Sequence, residues 1–467
     1  MEMSKEVEYH RGHVLVIPYP SQGHINPLLQ FAKRLASKGL KATLATTYYT
    51  IKSIHVSGVG VEPISDGFDE SGYAQVSNEE AYLESFKTVG SVTLSELIQK
   101  FESSDSPVNC IVYDSFLIWA LDVAKQHGIY AAAFFTNSAT VCSIFSHIHH
   151  GLLELPVKVG GLIDGLPPLS YSDLPMLARS PEAYPAYFRM NVNQHSNLQL
   201  VDWIFCNTFD ELEGKEAKSA SELWPGKLIG PMIPSFYLDG RIEDDKGYGA
   251  SLWKPLSDEC MQWVNSKSHA SVIYVSFGSM VALSIVQMEE IAWGLKNCGR
   301  HFLWVVKDSE RNKLSNSYAF IQSIQEKGLI VSWCNQLEVL AHNSIGCFVT
   351  HCGWNSTMEG LSLGVPMVGV AKWADQSTNA KFIEDIWQVG VRAKDDEKGV
   401  VGREELEKCV REVMEGRRSE EIKKNAKKWR ELAKEAISEG GSSDKKIDEF
   451  VDAFKSGKKE DDEKINT

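Results

Sequence analysis

The sequence predicts an α/β protein with two Rossmann-like, doubly wound domains that face each other across a central cleft. Short apolar runs rich in β-branched residues alternate with helical patterns, as in parallel sheets whose strands are joined by crossover helices. This alternation occurs twice, and a turn-rich, acidic stretch separates the two halves. The chain has 467 residues, which is too long for one ordinary domain and suits two.

The first half opens with a strand followed by a helix. An apolar run at residues 13–20 predicts the strand. Asn26-Pro27 predicts the start of a helix that ends near Ser37, because proline is favoured at the first helical position. The elements that follow are a strand at residues 39–46, a strand at residues 110–113 that ends at Asp114, and a helix at residues 119–124.

A linker and a second alternation follow. The turn-rich, acidic run around residues 239–245 is typical of a segment between domains. The later elements are strands at residues 271–279, 302–306 and 328–332, a helix with apolar residues at 288, 291, 292 and 295, a helix with an apolar stripe at 422, 426, 429 and 433, and a last helix around 447–454. We therefore divide the chain into a first domain at residues 1–235, a linker at 236–258, a second domain at 259–440, and a final helix with a charged, disordered tail at 441–467.

Composition restricts the partners and the compartment. The net charge of −14 argues against nucleic acid or an anionic membrane as a partner. The N-terminal residues lack the apolar core of a signal peptide, and no apolar run approaches the roughly 20 residues of a membrane span. Nine cysteines without paired spacing fit a reducing compartment. We expect a monomeric, cytoplasmic protein that binds small molecules.

The turn after the first strand carries a candidate general base. His24 lies just before the predicted helix start, where the helix dipole disfavours imidazolium and keeps a neutral, proton-accepting ring. Asp114 ends another strand of the same sheet, so both side chains could meet at the edge where α/β proteins bind ligands. A carboxylate on one ring nitrogen fixes the tautomer and stabilises the imidazolium that forms. The turn has one glycine rather than a G-x-G-x-x-G pattern, which disfavours a nicotinamide enzyme.

A second concentration of functional residues runs from Trp333 to Gln376. Within it, residues 345–350 read as a buried parallel strand, followed by a turn and by a helix that starts at Asn355. Free backbone N–H groups and the positive end of the helix dipole at such a start form an anion site. Gly353 has no side chain, so a diphosphate can approach the backbone closely.

This segment resembles, without a gap, the signature box of plant UDP-dependent glycosyltransferases that act on small lipophilic molecules. The resemblance covers almost the whole chain. It implies the GT-B fold, with the final helix crossing back to the first domain. It also implies contacts to the UDP-sugar: Trp333 with uracil, Gln336 and Glu359 with ribose, His351, Gly353, Asn355 and Ser356 with the diphosphate, Trp354, Asp375 and Gln376 with the sugar, Ser279 with the leaving group, and Thr136 with the sugar from the first domain.

Two positions of the box bear on the donor sugar. In the family, tryptophan at the position of Trp354 together with a terminal Gln376 goes with UDP-glucose. A terminal histidine goes with galactose, and a basic residue at the earlier position goes with glucuronate. The chain departs from the commonest box at Cys334-Asn335 and at Ala371-Lys372, where proline is usual. Loss of that φ restraint beside the sugar-contacting residues could loosen sugar selectivity, but it removes no group that the chemistry needs.

The resemblance implies an inverting glucosyltransferase in which His24 takes a proton from an acceptor hydroxyl and Asp114 supports the histidine. It implies no cofactor and no metal, only UDP-glucose as co-substrate. The acceptor would be a phenolic, a small carboxylic acid, or a steroid or triterpenoid alcohol. We expect its pocket to be formed by residues of the first domain: Ser21, Phe116, Phe145, His147, Tyr171, Met176 and Tyr184.

Alternative functions remain open at this stage. One is a UDP-sugar-binding protein without turnover, which the intact His24 and Asp114 disfavour. Another is a nicotinamide-dependent dehydrogenase, which the missing glycine-rich pattern disfavours. The run His147-Ile-His-His150 resembles a metal cluster, but adjacent histidines on a helix point in different directions and no cysteine or acidic residue is spaced to complete a site.

Overall fold

A computed structural model describes residues 12–76, 78–155, 163, 165–253, 256–313 and 327–454. It contains two sheets in which every described strand pairing is parallel. The α/β prediction is therefore confirmed. The charged tail that we expect to be disordered lies outside the described residues.

Each sheet reverses its strand order at its first strand. The first sheet, ordered β3-β2-β1-β4-β5-β6-β7, contains β1 (His13–Ile17), β2 (Lys41–Thr47), β3 (Gly60–Ile64), β4 (Cys110–Asp114), β5 (Tyr130–Phe135), β6 (Trp203–Cys206) and β7 (Lys227–Leu228). The second, ordered β10-β9-β8-β11-β12-β13, contains β8 (Val272–Ser276), β9 (His301–Val305), β10 (Gly328–Val331), β11 (Ile345–Thr350), β12 (Met367–Gly369) and β13 (Gly390–Arg392). Ligands of doubly wound sheets bind beyond the carboxyl ends of the strands at such reversals, here β1/β4 and β8/β11.

Helices cover both faces of the sheets. In the first domain they are α1 (Gln22–Ser37), α2 (Glu79–Glu102), α3 (Trp119–Gln126), α4 (Ala139–His149), α5 (Met176–Arg179), α6 (Pro185–Asn193) and α7 (Asp210–Ser219). After it come α8 (Ser257–Asn265), α9 (Ile285–Asn297), α10 (Asp308–Arg311), α11 (Gln336–Leu340), α12 (Trp354–Leu363), α13 (Gln376–Lys381), α14 (Arg403–Glu415), α15 (Ser419–Ile437) and α16 (Ser442–Asp452). Because helices lie on both sides, all residues of β1, β4, β8 and β11 are buried, which explains their continuous apolar runs. Among the described residues, no helix combines the length and the apolar content that crossing a bilayer requires.

The final helix returns to the first domain. Ser443 at its start donates to the carbonyl of Gly230, at 2.6 Å. Phe450 packs edge-on against Phe205 and Trp203, at ring-centroid distances of 5.2 and 5.0 Å. These contacts bury one apolar face of α16 against β6. The chain thus crosses from the first domain to the second at the linker and returns to the first domain at its last helix.

The start of α1 differs from the prediction. The helix begins at Gln22 rather than at Asn26-Pro27, so Pro27 lies inside it. A proline within a helix lacks the N–H that would bind the carbonyl four residues earlier, here that of Gly23. This carbonyl instead accepts a hydrogen bond of 2.6 Å from the Asn355 side chain of the second domain. The early helix start is tolerated because the other domain supplies the missing donor.

Candidate active site

A cleft cavity of about 500 Å³ lies between the carboxyl edges of the two sheets. The loops after β1 and β5 border it from the first domain, and the loops after β8, β10 and β11 border it from the second. All twelve residues that the resemblance assigns to the UDP-sugar line this cavity, and so does His24. Both strand-order reversals therefore open into the same space.

His24 and Asp114 form a hydrogen-bonded pair at the first-domain wall. His24 Nδ1 lies 2.6 Å from Asp114 Oδ2. The Asp114 side chain is fully buried, and its other oxygen accepts from the backbone N–H of Phe116 at 3.1 Å. Since a carboxylate accepts, Nδ1 carries the proton and Nε2 keeps a free lone pair. The pair can thus act as a general base with a fixed tautomer.

Aromatic rings and a hydroxyl hold the histidine in place. The His24 ring packs against Tyr19 and Phe116, at centroid distances of 5.4 and 5.0 Å. The hydroxyl of Thr136, which the resemblance assigns to the sugar, lies 3.2 Å from His24 Nδ1 and also lines the cavity. The side chain of Asn355, assigned to the diphosphate, donates to the Gly23 carbonyl and so joins α12 to the residue before His24.

The end of the cavity where the resemblance implies nucleoside binding is formed by a hydrogen-bond network in the second domain. Gln336 donates to Ser356 at 2.9 Å and to Glu359 at 2.5 Å, and it accepts from Tyr274 at 3.1 Å. Glu359 is buried, and burial raises its pKa to about 7 against the lowering effect of hydrogen bonds from Gln336 and Tyr248. The half-buried Trp333 offers an indole at the same end.

The predicted anion site is formed mainly by backbone groups at the start of α12. Gly353 caps α12, whose first N–H groups have no intrahelical partner. Burial lowers the pKa of His351 to about 4, so this ring is neutral near pH 7 and can only hydrogen-bond. A Cβ on Gly278 or Gly353 would lie 2.7 or 2.5 Å from His351 Nε2, which explains both glycines. Ser279 also lines the site, and Lys307 fixes its loop by donating to the carbonyl of Ser279.

The predicted sugar-binding residues lie where the two domains touch. The indole N–H of Trp354 donates to the carbonyl of Asn207 in the first domain, at 2.8 Å. The Gln376 side-chain oxygen accepts from two backbone N–H groups, which leaves its NH2 group for a ligand. Burial raises the pKa of Asp375 to about 6, while a hydrogen bond from Asn379 lowers it. An amide donor and a carboxylate therefore stand side by side, suited to adjacent hydroxyls.

The acceptor wall agrees only in part with the prediction. Ser21, Phe116 and Phe145 line the cavity, together with residues that the sequence analysis did not single out: Tyr19, Leu177, Tyr187, Met190 and Asn191. The other four predicted residues do not line it. They are His147, Tyr171, Met176 and Tyr184.

Each of the four is turned to a different partner. His147 Nδ1 lies 2.8 Å from the carbonyl of Ser143 one helical turn earlier, in a helix buried on nearly every side. Tyr171 is 43% exposed and donates to the carbonyl of Arg179. Met176 contacts the second domain through its backbone N–H, which donates to the carbonyl of Ala374, and Tyr184 packs edge-on against Trp373. The described residues contain no group of three His, Cys, Asp or Glu side chains arranged to hold a metal ion.

Sequence reasoning also missed residues that act across long separations. Asn207 and Gly23 contribute backbone carbonyls, which carry no side-chain signal. Tyr248, in the segment assigned to the linker, donates to Glu359 at 2.9 Å. Its only sequence signal is an aromatic residue within a polar, turn-rich stretch.

Comparisons with known proteins agree with this geometry. Residues 232–436 match the family model described as UDP-glucoronosyl and UDP-glucosyl transferase, and residues 12–65 match a glycosyltransferase N-terminal domain. The chain is 51% identical to UDP-glycosyltransferase 74B1 of Arabidopsis thaliana, over 95% of this chain and 98% of that one. It is 47% identical to Mogroside I-E synthase of Siraitia grosvenorii, over 95% of this chain and 98% of that one.

Solved structures show the same architecture. Os79 from O. sativa in complex with UDP superposes with a TM-score of 0.90 at 41% identity, over 94% of this chain and 100% of that one. UGT2 of Phytolacca americana, solved with UDP-2fluoro-glucose and pterostilbene, gives 0.79 at 27% identity, over 95% of this chain and 99% of that one. With two doubly wound domains, a shared cleft and relatives that match along nearly its whole length, the chain belongs to the plant family 1 UDP-glycosyltransferases, enzymes of GT-B fold that transfer a sugar from a UDP-sugar to a small metabolite.

Proposed function

We propose that this enzyme transfers glucose from UDP-glucose to a hydroxyl or carboxyl group of a small lipophilic plant metabolite, with inversion at the anomeric carbon. The observation that carries the proposal is the 2.6 Å contact between His24 Nδ1 and the buried Asp114. It leaves Nε2 as a proton acceptor beside the cavity that the donor-site residues line. The UDP-sugar is a co-substrate, and the proposal needs no further cofactor.

The proposed reaction is a single displacement. His24 Nε2 takes the proton of the acceptor hydroxyl while the acceptor oxygen forms a bond to the anomeric carbon. The bond from that carbon to the diphosphate oxygen breaks on the opposite face, and UDP leaves with the electron pair. Asp114 stabilises the imidazolium, and the N–H groups at the start of α12 stabilise the negative charge on the leaving group.

In this arrangement, uracil stacks on Trp333 and the ribose hydroxyls bind Gln336 and Glu359. The diphosphate lies against Gly353 at the helix start. The glucose lies between Trp354, Asp375 and Gln376, where the carboxylate and the free amide NH2 can bind adjacent hydroxyls. Glucose is the proposed donor sugar because the residue types at Trp354 and Gln376 are those that go with UDP-glucose in the family.

The acceptor wall favours a flat or polycyclic lipophilic molecule. Phe116, Phe145, Leu177 and Met190 make the first-domain side of the cavity largely apolar. A flavonol 7-O-beta-glucosyltransferase and a mogroside synthase are among the relatives, at 46% and 47% identity. We infer a phenolic or terpenoid hydroxyl as the acceptor group, with small carboxylic acids as the second class.

A mass-spectrometric screen tests this proposal. The purified enzyme is incubated with UDP-glucose, UDP-galactose or UDP-glucuronate and with phenolic, terpenoid and carboxylic acceptors. We expect a product heavier by one hexose, preferentially from UDP-glucose, and a β-configured glucoside in its proton NMR spectrum. An α-configured product contradicts the single displacement. Absence of product with every acceptor, in a protein that binds UDP, contradicts the proposed transfer.

We further propose that the enzyme acts as a cytosolic monomer. Each of its nine cysteines is buried and none forms a disulfide, which suits a reducing compartment. Size-exclusion chromatography with light scattering measures the mass in solution, and a dimer mass contradicts the monomer.

A further inference from the structure

A segment of the predicted linker forms an ordered strap along the cleft. The strap comprises residues 245–253. Near its start, the buried Asp245 accepts hydrogen bonds from Gln30 and Lys33 of α1, at 2.6 and 2.7 Å. The carbonyl of Gly249 accepts from the backbone N–H of His55 at 2.6 Å. These contacts fix the strap to the first domain, although the groups near its far end contact the second domain.

One aromatic residue of the strap contacts the nucleoside site. The hydroxyl of Tyr248 donates to Glu359 Oε1 at 2.9 Å, while Gln336 donates to the other oxygen at 2.5 Å. Burial raises the pKa of Tyr248 well above its ordinary value, so the hydroxyl stays protonated and donates. Tyr248 and Gln336 together fix the orientation of the carboxylate at the end of the cavity where the nucleoside is proposed to bind.

A second aromatic residue of the strap stacks on the tryptophan of the same site. The rings of Trp253 and Trp333 lie 4.7 Å apart between centroids, with 32° between their planes. Trp333 borders the cavity and Trp253 does not, so Trp253 packs against the Trp333 ring from outside the cavity lining. The backbone N–H of Leu256 donates to the carbonyl of Trp333 at 2.9 Å, which fixes the chain just after the strap to the same residue.

The strap is also joined to the helix that carries the base. The Gln22 side chain donates to the carbonyl of Ala250 and accepts from the backbone N–H of Leu252, both at 3.0 Å. Gln22 is the first residue of α1, and His24 lies in the same turn. One side-chain amide thus satisfies two backbone groups of the strap and holds it beside the catalytic turn.

We propose that Tyr248 and Trp253 are positioning residues for the uridine moiety of the donor, held in place by Gln22. Trp253 keeps the Trp333 ring in its stacking orientation, and Tyr248 keeps Glu359 oriented towards the ribose hydroxyls. Tyr248 lines the cavity beside Glu359, and Trp253 does not line it. This inference rests on the proposed function only in its identification of the nucleoside.

The experiment compares Trp253→Ala, Trp253→Phe and Tyr248→Phe with the wild-type enzyme. Isothermal titration calorimetry measures UDP and uridine affinity, and initial rates give KM and kcat separately. Two control variants remove matched groups elsewhere: Trp263→Phe alters another partly buried tryptophan, and Tyr113→Phe removes a buried hydroxyl without a hydrogen-bond partner among the described residues. Circular dichroism melting of every variant separates folding defects from binding defects.

We expect Trp253→Ala to weaken UDP and uridine binding about five- to tenfold, in the range of a lost stacking support. Trp253→Phe should restore most of that affinity, because a second aromatic ring can occupy the same face. Tyr248→Phe should raise KM for UDP-glucose about three- to tenfold, as for one lost hydrogen bond to a charged group. In each case kcat at saturating donor should stay within about twofold.

The pH dependence of UDP binding is a readout that a merely structural role would not change. Tyr237, Tyr248 and Tyr274 are the titratable groups, among the described residues, whose electrostatic contacts involve Glu359. The Tyr248 hydrogen bond lowers the pKa of Glu359, so its loss should move the midpoint of the UDP-affinity profile to higher pH. Wild-type affinity and midpoint in Tyr248→Phe overturn the role of Tyr248.

If Trp253→Ala binds UDP more tightly than the wild type, the proposal is also overturned. Trp253 would then compete with uracil for Trp333 instead of supporting it. A fall in kcat at unchanged KM overturns it as well. UDP and uridine binding are measured without turnover. A wild-type protein that binds UDP and uridine but transfers no glucose would contradict the proposed function. The calorimetric comparison of the variants would still test the positioning role of Tyr248 and Trp253.

Discussion

Replacing Glu359 with glutamine should make the unliganded enzyme more stable at neutral and alkaline pH. Glu359 is 4% exposed, and burial raises its pKa from the ordinary 4.5 to about 7. For a carboxyl whose pKa is raised on folding, the protonated form is favoured in the folded state. Its contribution to stability is therefore complete below about pH 4.5 and is lost as pH rises towards about 7. At about 1.36 kcal/mol per pH unit, this loss amounts to about 3 kcal/mol.

Glutamine has nearly the same shape and does not ionise, so the Glu359→Gln variant should escape this pH-dependent loss. Its NH2 group replaces one of the two oxygens that accept from Tyr248 and Gln336, a cost that does not vary with pH. Urea unfolding of both proteins without UDP, at several values between about pH 5 and pH 8, gives the difference in unfolding free energy. We expect the difference to grow by about 2.5 kcal/mol in favour of the variant across this range and then to become constant. Other titrating groups are common to both proteins and cancel.

The exposed Glu397 provides a control, because Glu397→Gln should unfold with the same pH dependence as the wild type. A difference between wild type and Glu359→Gln that does not vary with pH would refute the reasoning, as would one that shrinks as pH rises. Added UDP should reverse the order of stability, because ligand binding stabilises the folded state in proportion to affinity and the variant lacks the carboxylate. Such a reversal would mean that the ionised Glu359 lowers the stability of the unliganded enzyme and contributes to nucleotide binding.

Three further outcomes follow from other contacts of the site. His24→Ala should lower kcat/KM for hydroxyl acceptors by at least about 10²-fold and leave the Kd of UDP within about threefold. With carboxyl acceptors of pKa about 4 to 5, kcat/KM should decrease less, because these acceptors are already ionised. Pro27→Ala restores an N–H that competes with Asn355 for the Gly23 carbonyl, so thermal unfolding should show no loss of stability while kcat decreases; unchanged kcat would mean that the contact between domains is dispensable. The Asp173 carboxylate lies 2.5 Å from the Arg392 guanidinium, which also pairs with Glu384 at 3.0 Å. Asp173→Asn removes the charge of this buried partner and should reduce unfolding free energy by roughly 1–3 kcal/mol in urea titrations, a change that wild-type unfolding would contradict.

The parts of the fold and site that the sequence predicts are those encoded locally. The apolar runs of β1 and β4 predict buried parallel strands, and the carboxyl ends of such strands meet at one sheet edge. Asp114 is the last residue of β4, and His24 lies in the first turn of α1, the helix that follows β1. Their proximity could therefore be inferred although 90 positions separate them. Ten of the twelve predicted donor-site residues belong to the continuous segment at residues 333–376, and all twelve line the cavity.

The acceptor wall could not be inferred in this way because its residues come from segments with no common period. His147 and Phe145 lie on the same buried helix, yet only Phe145 lines the cavity, because the His147 ring is directed to its own helical carbonyl. Met176 and Leu177 are neighbours, and the contact of Met176 N–H with Ala374 turns Leu177 to the cavity. Such choices depend on how the two domains meet, which no local pattern records.

The prediction of where α1 begins was wrong for a related reason. Proline at the first helical position is a sound local rule, but the carbonyl that Pro27 leaves without an intrahelical partner is satisfied by Asn355, more than 300 positions later. The order of the strap could not be predicted for the same reason, because its polar, turn-rich sequence indicates a flexible linker. Its order comes from hydrogen bonds to residues far away in the sequence, namely Gln22, Lys33 and Glu359.

The contacts between the domains are concentrated around the position where the reaction must occur. Asn355 binds the residue before the base, Trp354 binds Asn207, and Met176 binds the carbonyl beside Asp375. In each contact, a backbone atom of the first domain binds a group of the second domain. That group belongs to a predicted donor-site residue or lies next to one. In the proposed reaction the acceptor oxygen and the leaving group must be aligned on opposite faces of one carbon, so these contacts between the domains would set that alignment. None of the described residues that line the cavity is a lysine or an arginine. In the proposed reaction, helix N–H groups and the neutral His351, held by that interface, would receive the charge of the departing UDP.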